Sequence, residues 1–365
     1  MTLAPAKSDL GQPLLSVIVL NYNGARWLER CLNSLRAQTI FDQVEVIVAD
    51  NVSSDGSERL GKRIVAGWPR GIFVQHSTNW GYCEGNNRAS QAAHGEYLLF
   101  LNNDTWLEPH CLEQLLAEVR RTGAGAATPL ILNYEDDSFQ SLGAFGFDLF
   151  GLASTRAYAT QTREVLMPEG CAYLIERELF RALGGFDSEF FMFVDEFDLS
   201  WRVWIAGRRA LAVPSAKLHH RGAAQVNPAG GSAAVEFRTS DAKRFYTNRN
   251  SLLVLLKNAQ HLLLLLVPLQ LGLLATEALA ALLLVRRWSF VKRAYWEAVA
   301  DCWRLRRHVL EERRRIRQFR RRGDLWMLRF LRFRLNRWDE IQRMRRFGVP
   351  KVTDEDIAKP QAGTV

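Results

Sequence analysis

Tyr97-Leu98-Leu99-Phe100-Leu101-Asn102-Asn103-Asp104 is the stretch on which the fold turns. Five apolar residues in a row, preceded by Gly95-Glu96 and ended by three short polar side chains, predict a buried parallel strand that runs out into a surface turn. In an open α/β sheet, ligands collect beyond the carboxyl ends of the strands, so Asn102, Asn103 and Asp104 would present hard oxygen donors there. Such donors suit magnesium or manganese, ions that neutralise phosphate charge. The competing reading makes the same turn a cap for the helix that begins at Glu108-Pro109.

Outward from this strand the pattern repeats. Leu15-Ser16-Val17-Ile18-Val19-Leu20 and Val44 to Ala49 are β-branched runs, each ending in a polar turn, Asn21-Tyr22-Asn23-Gly24 and Asp50-Asn51 to Ser57. A helix with Leu28, Cys31, Leu32 and Leu35 on one face follows the first. A third strand, Ile72 to Val74, leads into the glycine-bearing loop Asn79 to Arg88 and another helix. Alternating strand and helix is the signature of a doubly wound α/β sheet. The loop from Asn79 matches neither the dinucleotide fingerprint nor the P-loop.

Residues 130 to 169 are rich in turn formers and read as loops and edge strands shaping a second binding surface. A strand resumes at Gly170 to Ile175, and a Gly184-Gly185-Phe186-Asp187 turn precedes the aromatic run Phe190 to Phe193. Directly after that run, Asp195, Glu196 and Asp198 set negative charge beside an apolar wall, where a carboxyl pKa rises and a general base can be built. The alternative is an acidic helix N-terminus that complements its own dipole. Leu211 to Pro214 reads as a last short strand, and the histidines after it, His219 and His220, point to opposite sides of an extended chain.

The 365 residues are enough for one large α/β domain with an appendage. Five scattered cysteines without metal-ligand or redox spacing indicate a reducing compartment, and no signal-peptide pattern opens the chain. The net charge of +9 is concentrated in the tail: positions 286–346 hold about 21 Arg or Lys against about 7 Asp or Glu. Leu262 to Val285 is apolar for about 24 residues, long enough to span a bilayer. Glu277 lies deep within that run, however, and a lone carboxylate at mid-bilayer costs roughly 2.5–3.5 kcal/mol. Leu328, Leu331, Leu335, Trp338 and Ile341, interleaved with Arg329, Arg332, Arg334 and Arg337, predict a basic amphipathic helix at an anionic membrane surface. A nucleic-acid-binding arm is the reading set aside, and an oligomer-forming helix pair is left open.

Taken in order, these motifs resemble the family-2 glycosyltransferases of the GT-A fold, especially the branch with bacterial rhamnosyltransferases. The resemblance rests on Val17 to Gly24, Val48 to Asn51 with Ser54 to Ser57, Asn79 to Arg88, Leu101 to Asp104, and Gly184 to Asp187 leading into Asp195-Glu196. It implies an α/β, Rossmann-like, mostly parallel sheet over residues 14–250, divided into a nucleotide-sugar half at 14–120 and an acceptor half at 121–250. A helical membrane-associating region at 251–346 and a flexible tail at 347–365 would follow. The implied activity is inverting transfer of a sugar from a nucleoside diphosphate, with dTDP-rhamnose the leaning for the donor and a polyprenyl-diphosphate-linked or glycan acceptor. Asn21, Tyr22, Asn23, Asp50, Asn51, Gly81, Asn87, Asn102 and Asn103 would line the nucleotide sugar, with Asp50 on the nucleobase. Asp104 and His220 would hold Mg2+ or Mn2+, although Asn102 stands where the strict Asp-x-Asp form has its first carboxylate. Gly170, Trp201 and Arg202 would face the acceptor. Asp195 and Glu196 would be the catalytic pair, in reversed order relative to many relatives, with Glu196 taken as the base. The enzyme would work at the cytoplasmic face of the inner membrane, monotopic or peripheral, with a single helix spanning 262–285 as the runner-up. A fold-retaining, catalytically silent nucleotide-sugar or carbohydrate-binding protein is the alternative of a different class.

Overall fold

The computed structural model describes residues 11–154, 158–222, 238–333 and 335–353. Arg334 and the chain beyond Thr353 lie outside them. Four β-branched or leucine-rich runs form the strands that position the site: β1 (Leu15–Asn21), β2 (Val44–Asp50), β3 (Gly71–Gln75) and β4 (Tyr97–Asn102). They alternate with helices α1 (Leu28–Arg36), α2 (Ser57–Ala66) and α3 (Gly81–Ser90). The short β5 (Thr105–Leu107) follows β4, then α4 (Cys111–Thr122) and β6 (Ala126–Asn133). Short strands fill the turn-rich region before β11 (Ala172–Glu176): β7 (Phe139–Ser141) and β10 (Arg163–Glu164) join the main sheet, while β8 (Gly146–Phe147) and β9 (Ala153–Ser154) pair with each other. Helices α5 (Arg177–Leu183) and α6 (Asp195–Ile205) then lead to β12 (Ala210–His220).

The main sheet has the order β10-β12-β6-β11-β4-β1-β2-β3, with β5 on β12 and β7 on β6. β4 pairs parallel with β1 but antiparallel with β11, so the sheet is mixed rather than nearly all parallel. Both faces are covered, which explains runs without polar alternation. Ile18, Ile47 and Phe100 face one core with α6 and its neighbours, while Val17, Val46, Leu99 and Leu101 face the other with α1 and α4. Each such side chain contributes roughly 1.5–3 kcal/mol by burial.

Two expectations change here. The Asn102–Asp104 turn feeds β5 instead of capping a helix, and the last strand is eleven residues long, carrying His219 and His220 within it.

The C-terminal third is more integrated than its composition implies. β13 (Arg238–Ser240) opens α7 (Asp241–Asn258), whose Ser240 cap accepts from Lys243 N. α7 runs unbroken through the expected boundary at 250/251, and Leu252, Leu253, Val254 and Leu255 are fully buried in the domain core. After α8 (Leu266–Leu284) come α9 (Trp288–Val291), a π-helical turn at Lys292–Glu297, α10 (Ala298–Arg304) and α11 (Arg306–Phe319). The expected single basic helix over Leu328 to Ile341 is instead broken into α12 (Asp324–Met327), a 3-10 turn (Leu328–Phe330) and α13 (Trp338–Phe347). Its arginines are drawn off one by one: Arg329 pairs with Glu164, Arg332 donates to Phe145 O, and Arg337 pairs with Glu277 at 2.8 Å. Glu277 is therefore not a lone carboxylate. Nor does a free tail begin at 347, because β14 (Lys351–Thr353) pairs parallel with β13.

Candidate active site

The carboxyl ends of β1, β2 and β4 meet in a web of short side chains. Asn21, fully buried, donates to Asp50 Oδ1 at 2.8 Å and Ser57 Oγ at 2.8 Å, and accepts from Asn103 Nδ2 at 2.8 Å. Asp50 accepts from Asn21, from Ser53 N and Oγ, and from Gln75 Nε2. That fills the roughly four lone-pair positions of a carboxylate. A nucleobase N–H can therefore reach Asp50 only if one of these donors turns away, and Gln75, exposed at the end of β3, is the one free to do so. Tyr22 and Asn23 are exposed beside it, and Asn23 Oδ1 accepts from Ser54 N at 2.8 Å. Gly24 is obligatory in this web, since a Cβ there would lie 2.2 Å from Asn103 Nδ2.

Two residues expected to line the nucleotide are spent inside the protein. Asn51 donates to Gly81 O at 2.9 Å and contacts His76 Nδ1 at 2.7 Å, which fixes the start of α3. Asn87 pairs reciprocally with Phe186 N and O in the Gly-Gly-Phe turn. Gly81 itself, at φ +71°, allows Phe191 to close over it, since a Cβ would meet that ring at 2.5 Å.

Asp104 and His220 come together from β4's turn and the end of β12, with Nε2 to Oδ1 at 3.4 Å. Asn102 Nδ2 is 3.5 Å from the same ring nitrogen, and Gln140 Oε1 is 2.9 Å from Nδ1. Burial alone would raise the Asp104 carboxyl, but His220 overcomes it and holds the group below the usual range. His219 faces the other way, stacked on Trp106 at 3.6 Å. Among the described residues, no three His, Cys, Asp or Glu side chains converge as a closed metal cage. One carboxylate and one imidazole fit a divalent ion whose remaining ligands are phosphate oxygens and water.

The acidic pair opens α6. Before it, Phe191, Phe193 and Val194 all hold positive φ, at 61°, 67° and 65°. Left-handed backbone at three non-glycine residues costs of order 1–3 kcal/mol each and persists only when its surroundings impose it. α7 imposes it: Asn250 Nδ2 reaches the carbonyls of Phe190, Met192 and Phe193 at 2.8–3.0 Å, and Arg249 bonds those of Glu189 and Phe190. Nothing in the sequence of α7 marks these two residues, which lie in the polar stretch 247–251 ahead of the helix's apolar run.

Burial pushes the Asp195 carboxyl up to about 7, and its Oδ2 has no hydrogen-bond partner among the described residues. Glu196 is raised well above the ordinary carboxyl range, by burial first and then by the charge of Asp195. Glu196 lines a cavity of about 300 Å³ whose other walls include Met167, Thr247 and Ser251 and, from the C-terminal segment, Asn336, Arg337 and Glu340. The segment Glu169–Cys171 joins the two halves. Cys171 O accepts from Asn102 N, a Cβ on Gly170 would sit 3.5 Å from Glu196 Cδ, and Tyr82 OH donates to Gly170 O. Glu169, not singled out in the sequence, bonds Ser141 Oγ, and burial raises its pKa.

Trp201 and Arg202, expected at the acceptor, are in the core instead. Trp201 packs on Phe147 and Phe197, and Arg202 holds Asp198 at 2.7 Å and the carbonyls of Leu183 and Gly185.

Residues 16–184 match the family model described as glycosyl transferase family 2. The chain carries a family 2 glycosyl transferase domain. Among its relatives is a Bacillus subtilis protein named for glycosyltransferase activity, EpsH, 34% identical over 122 residues that make up 33% of this chain and 34% of that protein. The N-acetylglucosaminyl-diphospho-decaprenol L-rhamnosyltransferase of Mycobacterium tuberculosis is 29% identical, over 57% of this chain and 76% of its own length. The chain thus spans about a third of one of these relatives and three quarters of the other. Among solved structures, GalNAc-T7 with UDP, GalNAc and Mn2+ superposes with a TM-score of 0.53 at 20% identity, covering 68% of this chain and 48% of that one. That likeness gives the GT-A fold. The family 2 match ends eleven residues before Asp195, so the acidic helix and the C-terminal wall of the cavity lie beyond it.

Proposed function

We infer that this chain is an inverting, metal-dependent glycosyltransferase that moves a sugar from a nucleoside diphosphate to an acceptor hydroxyl. The observation that carries the reading is the partly accessible Glu196, raised in pKa and lining a cavity, across the Glu169–Cys171 segment from the Asn102–Asp104 turn. Tyr22, Asn23 and Asp50 bound the nucleoside, with Gln75 yielding its bond to Asp50. Asn102 and Asn103 border the diphosphate. Asp104 and His220 would hold Mg2+ or Mn2+, whose chemistry is neutralisation of the leaving diphosphate. The relative solved with UDP and Mn2+ supports that ligand class.

In the transfer, Glu196 takes the acceptor O–H proton while that oxygen bonds to the anomeric carbon and the carbon–oxygen bond to the diphosphate breaks. A single displacement inverts the centre. The rhamnosyltransferase relative, named for an N-acetylglucosaminyl-diphospho-decaprenol acceptor, supports a rhamnosyl donor, for which dTDP-rhamnose is the leaning, and a polyprenyl-diphosphate-linked saccharide as acceptor.

The acceptor chemistry suits a membrane position. Among the described residues one helix, Leu262–Leu284, is long and apolar enough to cross a bilayer, and its most apolar window is 22% buried. Leu265, Leu283, Trp296 and Trp303 are 63–71% exposed. Glu277, midway along that helix, is tied through Arg337 to Glu340 and Arg244, which favours a helix embedded in one leaflet of the cytoplasmic face. A reporter fused after Val365 checks this: a periplasmic signal overturns it.

The test of the activity is nucleoside diphosphate release by purified full-length protein with Mg2+ or Mn2+ and a panel of nucleotide sugars. Binding of one donor without release or transfer, across candidate acceptors, would leave a silent binder. Asp104→Ala is expected to abolish the metal-dependent part of the rate.

A further inference from the structure

A second charged concavity lies away from the site just described, and nothing in the catalytic reading uses it. It is a pocket of about 370 Å³ between the end of α7 and α11, lined by Lys257, Gln260, His261, Leu310, Arg313, Arg314, Arg317 and Arg320. No carboxylate is among these lining residues.

The cations have two kinds of duty. Arg313 donates to the carbonyls of Leu256, Ala259 and Gln260 at 2.6–3.0 Å, and Arg320 donates to Asn258 O at 2.6 Å. They thereby satisfy the orphan carbonyls at the end of α7. Lys257 is committed to Asp187 and Asp198 beneath the floor. The nearby Asp324 is spent on the backbone N–H groups of Gln260, His261 and Leu263, and it offsets part of the charge of Arg320. Arg314 and Arg317 differ from these. They stand one turn apart on the exposed side of α11 and add two charges to a concavity whose carbonyl-capping arginines already carry theirs.

A merely solvated arginine face would be surrounded by polar side chains. This one includes an exposed leucine, Leu310, at 54%, and its His261 is followed directly in the chain by the 3-10 turn that starts the apolar helix, where Leu262 and Leu265 are 41% and 64% exposed. Cations set at the edge of an exposed apolar surface are arranged for a ligand that is anionic at one end and meets hydrocarbon at the other. Guanidinium groups recognise phosphate oxygens by paired N–H donors.

We propose that the pocket formed by Arg313, Arg314, Arg317 and Arg320 binds a phosphate group, supplied by the headgroup of an anionic membrane lipid. This deepens the membrane reading above and is independent of the catalytic one. Free phosphate has the same chemistry, and the experiment separates the two sources.

Full-length protein is sedimented with vesicles of phosphatidylcholine alone and of phosphatidylcholine with phosphatidylglycerol. The double variant Arg314→Gln/Arg317→Gln is compared with Arg343→Gln/Arg346→Gln, which removes equal charge from the exposed face of α13. Unchanged thermal melting of both confirms that neither perturbs the fold. The first variant is expected to lose roughly 10-fold or more in affinity for the phosphatidylglycerol vesicles, the second less than about 3-fold, with binding to phosphatidylcholine retained. Absence of all vesicle binding in the wild type defeats the membrane reading and the lipid source together. In that case a rise in melting temperature with inorganic phosphate, present in the wild type and missing in Arg314→Gln/Arg317→Gln, establishes the pocket as a free-phosphate site. Equal losses in the two double variants, or no loss in either with no phosphate effect, overturn the proposal.

Discussion

Within one turn of α6, carboxylates three residues apart are treated in opposite ways. Asp198 is buried and fully compensated, with Arg202 at 2.7 Å, Lys257 at 3.0 Å and Asn258 Nδ2 at 2.8 Å. Burial would raise its pKa, and Arg202 and Lys257 overcome that and bring it below the usual range. Asp195 is equally buried and has no such cation, so its pKa rises to about 7. A fold that can compensate one acid and leaves the next uncompensated a turn away is storing instability at the place where the proposed transfer would need a base. The compensated acid, with Asp187, clamps α7 and α11 to the domain through Lys257 and His308. Of the uncompensated pair, Glu196 lines the cavity and Asp195, the residue before it, is buried.

The largest effect should come from the uncompensated side. Glu196→Gln is expected to lower kcat by roughly 10²- to 10⁴-fold with donor binding nearly intact, measured by steady-state kinetics and donor titration. Near-normal turnover in Glu196→Gln together with loss in Asp195→Asn would move the base to Asp195. In either case the wild-type rate should climb with pH as the base loses its proton, through about 7 if Asp195 governs the limb. Asp195→Asn also tests the stored instability. A folded-state pKa above the unfolded one means that stability falls as pH rises between them, so the Asn variant should melt higher than wild type above about pH 7.

On the compensated side, Lys257→Met strands two buried carboxylates and should cost roughly 3–5 kcal/mol in denaturant unfolding. A loss of less than about 1 kcal/mol would show that the clamp is replaceable and that the contrast within α6 is not energetic.

Asn250→Ala asks whether the strained turn matters for aim. Removing the amide that holds three carbonyls should reduce kcat roughly 10- to 100-fold while the donor KM stays near wild type. An equal loss in donor affinity would mean that the turn supports the whole domain and not the acidic pair alone.

The smallest effect belongs to His308, whose hydrogen bond to Asp187 raises its pKa. Its contribution is fully present below the unfolded value of about 6.5 and is lost as pH rises through the folded one. His308→Gln should therefore cost roughly 1 kcal/mol in acid and little in alkali, read from melting curves across pH. A constant difference at all pH values would remove the ion pair from the clamp.

The sequence by itself determined the strands, the polar turns at their carboxyl ends, and the kinds of side chain available for chemistry. Apolar runs such as Leu98 to Leu101 and Val44 to Ala49 carry their own secondary structure, and short polar residues after them have little choice but to end the strand. Only the tertiary structure decided which of those polar residues face a ligand. Asn51 and Asn87 look like Asn23 in sequence, but partners at Gly81 and Phe186 draw them inward. Trp201 and Arg202 sit on the buried side of the helix that exposes Glu196, because a 3.6-residue turn separates faces that adjacency in sequence does not. The same holds for the tail. Its charge announces a basic segment, yet Arg337 reaches Glu277 and closes the cavity beside Glu196 only because α7 folds into the domain core and brings both within range. Local periodicity encodes faces and ends of elements. Pairing across 60 residues, as between Arg337 and Glu277, is set by how those elements pack.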